Sequence, residues 1–204
     1  MKSKTYARFQ KYLGGIIRVL FRIHAHGAEN EPVDTAYLIV SNHTSNADPV
    51  FLCASTKHQQ PHFMAKKELF KVPLVNLLVK ALGAFPVDRA GNDVGAIKKS
   101  INMLKDGKCV GIFPQGHRYM NVDPRTTPVK NGAAMLAVKA EVQVLPCYIK
   151  MKNNCWAPFR RVDVYIGKPI PFEELAYDPE AKGEYARISE YIFDRICTIG
   201  EENA

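Results

Sequence analysis

The sequence predicts an α/β fold, a mixed and mostly parallel sheet flanked by helices, with an amphipathic helix at the N-terminus. Two observations carry the fold class. Short apolar runs rich in Val and Ile alternate along the chain with stretches of helical period. Polar, Gly- or Pro-bearing loops separate them. A third makes the sheet mixed: Pro146 stands inside the apolar run Val142–Ile149, as an edge strand or a bulge requires.

The elements follow in order. Tyr6, Phe9, Leu13, Ile16, Ile17, Leu20 and Phe21 recur at spacings of three and four, a helical stripe over residues 4–23 with Lys and Arg opposite. Gly14 and Gly15 weaken or kink it. Tyr37–Ser41 is a buried strand ending in a polar run from Asn42 to Asp48. Asp48-Pro49 opens a helix as N-cap and first helical residue, and that helix ends before Pro61. His62–Ala65 is a weak strand, Pro73–Leu82 an apolar helix closed by Gly83, and Phe85–Val87 a very short strand. Val94, Ile97, Ile101 and Leu104 mark a helix with Gly107 beyond its end. Lys108–Phe113 is a strand, Asn131–Ala140 an Ala-rich helix, and Arg161–Ile166 another strand. Tyr185, Ile188, Ile192 and Ile196 line the last helix.

With 47% hydrophobic and 24% charged positions, 204 residues suit one core or a core plus an appendage. We divide the chain into a basic amphipathic segment, 1–28, and a globular domain, 29–204. The longest run without a charge, Thr35–Ala47, is polar and shorter than the roughly 20 apolar residues a membrane-spanning helix needs. Arg18 and Arg22 interrupt the N-terminal apolar stretch, so a signal peptide is not expected. Cysteines 53, 109, 147, 155 and 197 form no C-x-x-C pair and read as reduced thiols.

The net charge of +8 is unevenly spread. Residues 1–28 hold six bases and no acid, whereas residues 171–204 hold three bases against nine acids. A basic end and a basic middle call for an anionic partner. No RNP, zinc-finger or helix-turn-helix pattern accompanies the charge, so nucleic acid is not the expected one.

Four segments carry chemistry. His43 precedes Asp48 by five residues at the end of a strand, where α/β folds place ligands. A carboxylate that fixes the tautomer of such a histidine makes it a general base near neutral pH. The spacing alone fits a capping Asp and a surface His equally well. Gly83–Arg89 ends in Asp-Arg, and arginine grips phosphate bidentately; a solvated turn is the plainer reading. Cys109–Arg118 runs a buried strand into Pro114-Gln115-Gly116, where glycine lets backbone approach a ligand. Val144-Leu145-Pro146 by itself is core. Ser41 and Ser45 lie near His43 without the G-x-S-x-G of a serine hydrolase. His58 and His62 have zinc-like spacing, but Pro61 breaks the helix they would share, and no metal is expected.

In order and together, these segments resemble the glycerolipid acyltransferases. The resemblance rests on N-H-x-x-x-x-D (Asn42-His43 to Asp48), on the F-P-V-D-R core of Gly83–Arg89 with its Phe shifted, and on Phe113-Pro114-Gln115-Gly116-His117-Arg118. Val144-Leu145-Pro146 is the fourth block, and residues 35–170 are covered. Two positions depart, Gln115 for the usual Glu and His117 for the usual Thr. The resemblance implies acyl transfer from a thioester, on coenzyme A or acyl carrier protein, to the hydroxyl of lysophosphatidic acid. Another lysolipid or glycerol 3-phosphate is the alternative acceptor, and a non-catalytic lipid binder the alternative class. It implies His43 as base, Asp48 as its orienting carboxylate, Arg89 and Arg118 on the acceptor phosphate, and Gln115 and Gly116 shaping the pocket. It implies no cofactor, the thioester being a co-substrate. The expected setting is peripheral, on the cytoplasmic face of an anionic membrane.

Overall fold

The computed structural model describes Tyr6 and residues 14–88, 94–151 and 157–203. Its strands are β1 (Ile23–His26), β2 (Tyr37–Ser41), β3 (Pro61–Lys66), β4 (Phe85–Val87), β5 (Cys109–Ile112), β6 (Gln143–Met151) and β7 (Val162–Ile166). They form one sheet in the order β1-β7-β6-β2-β5-β3-β4. Every pairing is parallel except β6 with β7. The helices are α1 (Gly15–Leu20), α2 (Asp48–Ser55), α3 (Pro73–Ala81), α4 (Val94–Lys105), α5 (Gly132–Ala140) and α6 (Glu184–Glu202).

Strand β2 lies inside the sheet and is buried on both faces, which is why its sequence is a continuous apolar run. Leu38 and Val40 point into a core shared with α4, α5 and α6, while Tyr37 and Ile39 face the core built with Phe51, Leu52 and Cys53 of α2. Ala133, Ala134 and Ala137 are fully buried, and their small side chains let α5 lie close against the sheet.

Pro146 marks a bulge, not an edge. Strand β6 is interior, flanked by β2 and β7. Its ladder with β7 ends at Cys147 opposite Ile166, and the next contact is a bridge from Val144 to Ile170. Leu145 and Pro146 therefore face the longer stretch Gly167–Pro169. The Pro146 carbonyl accepts from Gly167 N–H at 2.8 Å, so the N–H that proline lacks would have pointed to this same irregular side. The ladder loses nothing there.

At its C-terminal end the N-terminal segment leaves the helix expected to run to residue 23. Of residues 4–23, the described part is helical over Gly15–Leu20, and Arg22, at φ 42°, turns the chain into β1. Strand β1 pairs in parallel with β7, so the sheet begins inside residues 1–28. Ile-His-Ala-His offers one half-buried apolar residue, too little pattern to read as a strand. Tyr6 is fully buried and donates its hydroxyl to the Cys53 carbonyl at 3.0 Å. Phe21 meets Phe51 edge to face, with centroids 5.7 Å apart. Arg18 gives its guanidinium to the Ala54 carbonyl at the end of α2. Phe9 and Leu13 lie outside the described residues. No helix among the described residues is long and apolar enough to cross a membrane.

Candidate active site

The carboxyl ends of β2, β3, β4 and β5 share one edge of the sheet because these strands are parallel. The chain leaves β2 through Asn42, whose side-chain amide continues the strand pairing. Its Nδ2 donates to the Ile149 carbonyl at 3.0 Å, and its Oδ1 accepts from Ile149 N–H at 2.8 Å. This side chain is doing what backbone does one residue earlier, so His43 departs from a fixed point.

His43 Nδ1 lies 2.8 Å from Asp48 Oδ2. The same oxygen accepts from the backbone N–H groups of Thr44 at 2.7 Å and Ser45 at 2.8 Å. Asp48 is therefore not the expected N-cap. It is the first residue of α2, and its carboxylate reaches back to gather the loop before the helix. Its side chain is completely buried, and Oδ1 has no hydrogen-bond partner among the described residues. All the acceptor capacity in use falls on the oxygen facing His43. An ionised Asp48 makes Nδ1 the protonated ring nitrogen, leaving Nε2 to take a proton.

The imidazole is held from its face as well. It stacks on Phe113, with centroids 4.0 Å apart and planes 13° apart, and Phe113 stacks on Phe63 at 5.6 Å. Gly111 makes that second contact possible, since a Cβ there would sit 2.1 Å from the Phe63 ring. The backbone of His43 is latched twice by the loop after β5: its N–H donates to Gln115 Oε1 at 2.6 Å, and its carbonyl accepts from Tyr119 N–H at 2.9 Å.

Gln115, expected to shape the pocket, braces the backbone of His43. It is buried, and its amide is spent at both ends, on His43 N–H and on Thr127 Oγ1 at 2.7 Å. Thr127 gives its own hydroxyl proton to the Pro124 carbonyl at 2.6 Å and so can accept from an amide N–H. Gly116 does line the cavity, in a left-handed turn at φ 69° beside the Lys130 side chain. Arg118 is exposed on the same loop and bonds to Asn46. Arg89 lies outside the described residues; its neighbour Asp88 lines the cavity and pairs with Lys67.

The cavity measures about 370 Å³. Phe63, Met64, Ile97, Ile112, Phe113 and Leu136 make it largely apolar, while His117 and Lys130 add polar groups. Phe113 belongs both to the cavity wall and to the His43 stack. Phe113, Thr127 and Lys130 were not assigned roles from sequence. Only the Phe of F-P-Q-G was a signal for any of them.

Ser41 donates to Asn42 Oδ1 at 3.1 Å, and Ser45 Oγ accepts from Ala47 N–H at 3.0 Å. His62 Nδ1 meets the Gly83 carbonyl at 2.8 Å. Burial pushes the Cys53 thiol up to about 12, which keeps it protonated at neutral pH.

A His–Asp pair fixed at the carboxyl edge of a parallel sheet, beside an apolar cavity, suits acid–base chemistry. The model of the Acyltransferase family matches residues 22–150, more than half the chain, and the chain belongs to that family. It is 34% identical over 176 residues to the 1-acyl-sn-glycerol-3-phosphate acyltransferase of Streptococcus pneumoniae, covering 82% of this chain and 64% of that one. It is 29% identical over 192 residues to the enzyme of the same name from Bacillus subtilis, covering 91% and 94%. The chain thus spans under two thirds of the pneumococcal relative and nearly all of the Bacillus one. The crystal structure of the 1-acyl-sn-glycerophosphate acyltransferase PlsC from Thermotoga maritima superposes with a TM-score of 0.66 at 24% identity, over 98% of this chain and 84% of that one. That likeness concerns the fold.

Proposed function

We propose that the protein is an O-acyltransferase that moves a fatty acyl group from a thioester to the free hydroxyl of lysophosphatidic acid, giving phosphatidic acid. The single observation that carries this is the His43–Asp48 pair, its Nδ1 engaged by a buried carboxylate, within a chain of this family. In the reaction, His43 Nε2 takes the hydroxyl proton as that oxygen bonds to the thioester carbon. The carbon–sulfur bond breaks, and the imidazolium returns the proton to the departing sulfur. The products are an ester and a thiol. Asp48 stabilises the imidazolium in between. A thioester is already activated, so neither a covalent acyl-enzyme nor a cofactor is required by this scheme.

The apolar wall from Phe63 to Leu136 suits a fatty chain, and a volume of about 370 Å³ falls in the ordinary range for ligand cavities. Arg118 and, from the motif, Arg89 would hold the acceptor phosphate, with Lys130 at the cavity adding charge. The Gln115 departure sits beneath His43, its amide bonded to His43 N–H and to Thr127 Oγ1. We place the enzyme peripherally on the cytoplasmic face of an anionic membrane, its basic N-terminal segment toward lipid. Donor and acceptor are tested by one crossed assay: acyl-CoA and acyl carrier protein thioesters against lysophosphatidic acid, glycerol 3-phosphate and amine-bearing lysolipids. Turnover should be highest with lysophosphatidic acid, and Arg118→Lys should raise its Michaelis constant. Equal turnover of lysolipids lacking a phosphate monoester would reject the phosphate contact.

A further inference from the structure

We infer that residues 66–80, the turn after β3 and helix α3, form a membrane-contact surface of the catalytic domain, separate from the N-terminal segment and specific for anionic lipid. Leu74 and Leu77 on α3 are 83% and 71% exposed. Val72 and Leu69, just before the helix, are 49% and 39% exposed. A surface helix ordinarily turns its polar residues outward. Helix α3 does the reverse: Leu78 and Ala81 pack on the core while Leu74 and Leu77 face solvent, so it is apolar on both sides. The exposed side chains are set among Lys66, Lys67, Lys71 and Lys80, with Glu68 as the only acid between residues 66 and 80. Lys67 is paired with Asp88, leaving three lysines at the rim.

That combination selects its occupant. In a symmetric pair of chains the same patch meets itself, and isologous contact would set each lysine cluster against its copy. An anionic bilayer answers both features at once, accepting leucines into the acyl boundary and lysines at the phosphates. The location fits as well. Phe63 and Met64 of β3 line the cavity, Asp88 lines it and pairs with Lys67, and the turn bearing Leu69 begins at Lys67. A bilayer on this patch lies beside the cavity, so a lysolipid enters without crossing water. The inference rests on the reading above that the substrates are lipids.

The test uses the full chain, vesicle flotation and two acceptors. Vesicles are phosphatidylglycerol–phosphatidylcholine mixtures or phosphatidylcholine alone; the acceptors are lysophosphatidic acid in those vesicles and a short-chain analogue held below its micelle concentration. Leu74→Glu with Leu77→Glu should reduce flotation at least tenfold on the order expected from losing two inserted leucines. Lys71→Gln and Lys80→Gln should each reduce it roughly fivefold on anionic vesicles only, an effect that salt removes. All four substitutions are on exposed side chains, so near-normal turnover of the monomeric analogue reports an intact fold and site. Turnover of vesicle-borne acceptor should fall with flotation. Wild-type flotation by the leucine variant, or a wild-type dimer in light scattering that the variant dissolves, would overturn the surface. If wild-type chain turns over neither acceptor yet flotation depends on the patch, the lipid surface stands and the catalytic reading fails.

Discussion

Among the described residues two histidine–aspartate pairs stand, each 2.8 Å long, in contrasting settings. At the inner strand β2, His43 presents Nδ1 to Asp48, and the pair is 10% and 0% exposed. At the sheet edge, His26 of β1 presents Nε2 to Asp163 of β7, and the pair is 42% and 12% exposed. Asp163 is also gripped bidentately by Arg161, through Nε at 2.7 Å and Nη2 at 2.8 Å. Burial pushes the Asp163 carboxyl up, but the hydrogen bonds from Arg161 and His26 outweigh it and hold it below the usual carboxylate range. Asp48 has no such cation among its hydrogen-bond partners; its other two donors are backbone amides. The edge pair is a strand clip between β1 and β7. On the function proposed above, the inner pair is a base with its charge partner beside it. Residue types and distance do not separate the two. What separates them is which ring nitrogen is used, what else holds the carboxylate, and what lies beside the free nitrogen.

The largest effect should come from erasing one pair and not the other. His43→Ala should lower turnover by about 10²–10⁴, the usual loss of a general base. Asp48→Asn should come next, because an amide cannot fix the tautomer or balance the imidazolium. His26→Ala should leave turnover within about twofold, as for surface substitutions away from special features. Steady-state rates with circular dichroism check all three. A His26→Ala loss matching that of His43→Ala would end the distinction.

The latch under His43 gives the second effect. Gln115→Ala leaves His43 N–H and Thr127 Oγ1 without the amide, and each unsatisfied buried group costs about 1–3 kcal/mol. Turnover should fall by roughly 10- to 100-fold as the loop drifts, that cost taken as barrier height. The Michaelis constant for the acceptor should hold, since the Gln115 amide is bonded to His43 N–H and Thr127 Oγ1. A raised acceptor constant with unchanged turnover would return Gln115 to the substrate.

Much of this was legible in sequence, and the rest was not for a physical reason. The strands after the first were visible because Tyr37–Ser41 and Val144–Ile149 are apolar on both faces, and burial on both faces leaves that signature. His43, Asp48 and Gly116 were singled out through the ordered blocks N-H-x-x-x-x-D and F-P-Q-G-H-R, since spacing alone left Asp48 a cap as readily as a partner. The Gln115–His43 latch joins residues 72 apart, and the Asn42–Ile149 pairing joins residues 107 apart. No periodicity records such contacts. Strand β1 was missed because it is four residues long, at an edge, and mostly exposed. Asp48 looked like a cap because Asp-Pro opens a helix; only the fold shows its carboxylate turned backward.

A smaller effect tests the stacked face, which both pairs possess. His26 stacks on Tyr165 at 4.6 Å as His43 does on Phe113 at 4.0 Å. Phe113→Leu keeps an apolar wall and removes a contact worth about 0.5–1.5 kcal/mol. Turnover should drop by about two- to tenfold, that energy appearing in the barrier. An equivalent Tyr165→Leu change should act on melting temperature alone. Identical kinetic losses from both would mean that stacking, and not the base, limits the rate.

The smallest kinetic effect should come from Asp163→Asn, and its stability signature has a definite sign. A carboxyl held below its ordinary value binds a proton less readily in the folded chain than in the unfolded one. Its contribution is therefore full at neutral pH and is lost as pH falls through the depressed folded value. The ordinary aspartate value is about 3.9, so the loss runs from there downward. At pH 7 the variant should melt below wild type, because Arg161 and His26 keep their charge-bearing partners only in the wild type. Carried to pH 3 and below, the two melting curves should converge, since the wild-type carboxyl is then taking up its proton. Turnover at pH 7 should be unchanged, for Asp163 lies two strands across the sheet from β2 and its bonds go to His26 and Arg161, not to the His43 loop. A gap that widens on acidification would mean that Asp163 is not held low by its cations and that the edge pair is no clip.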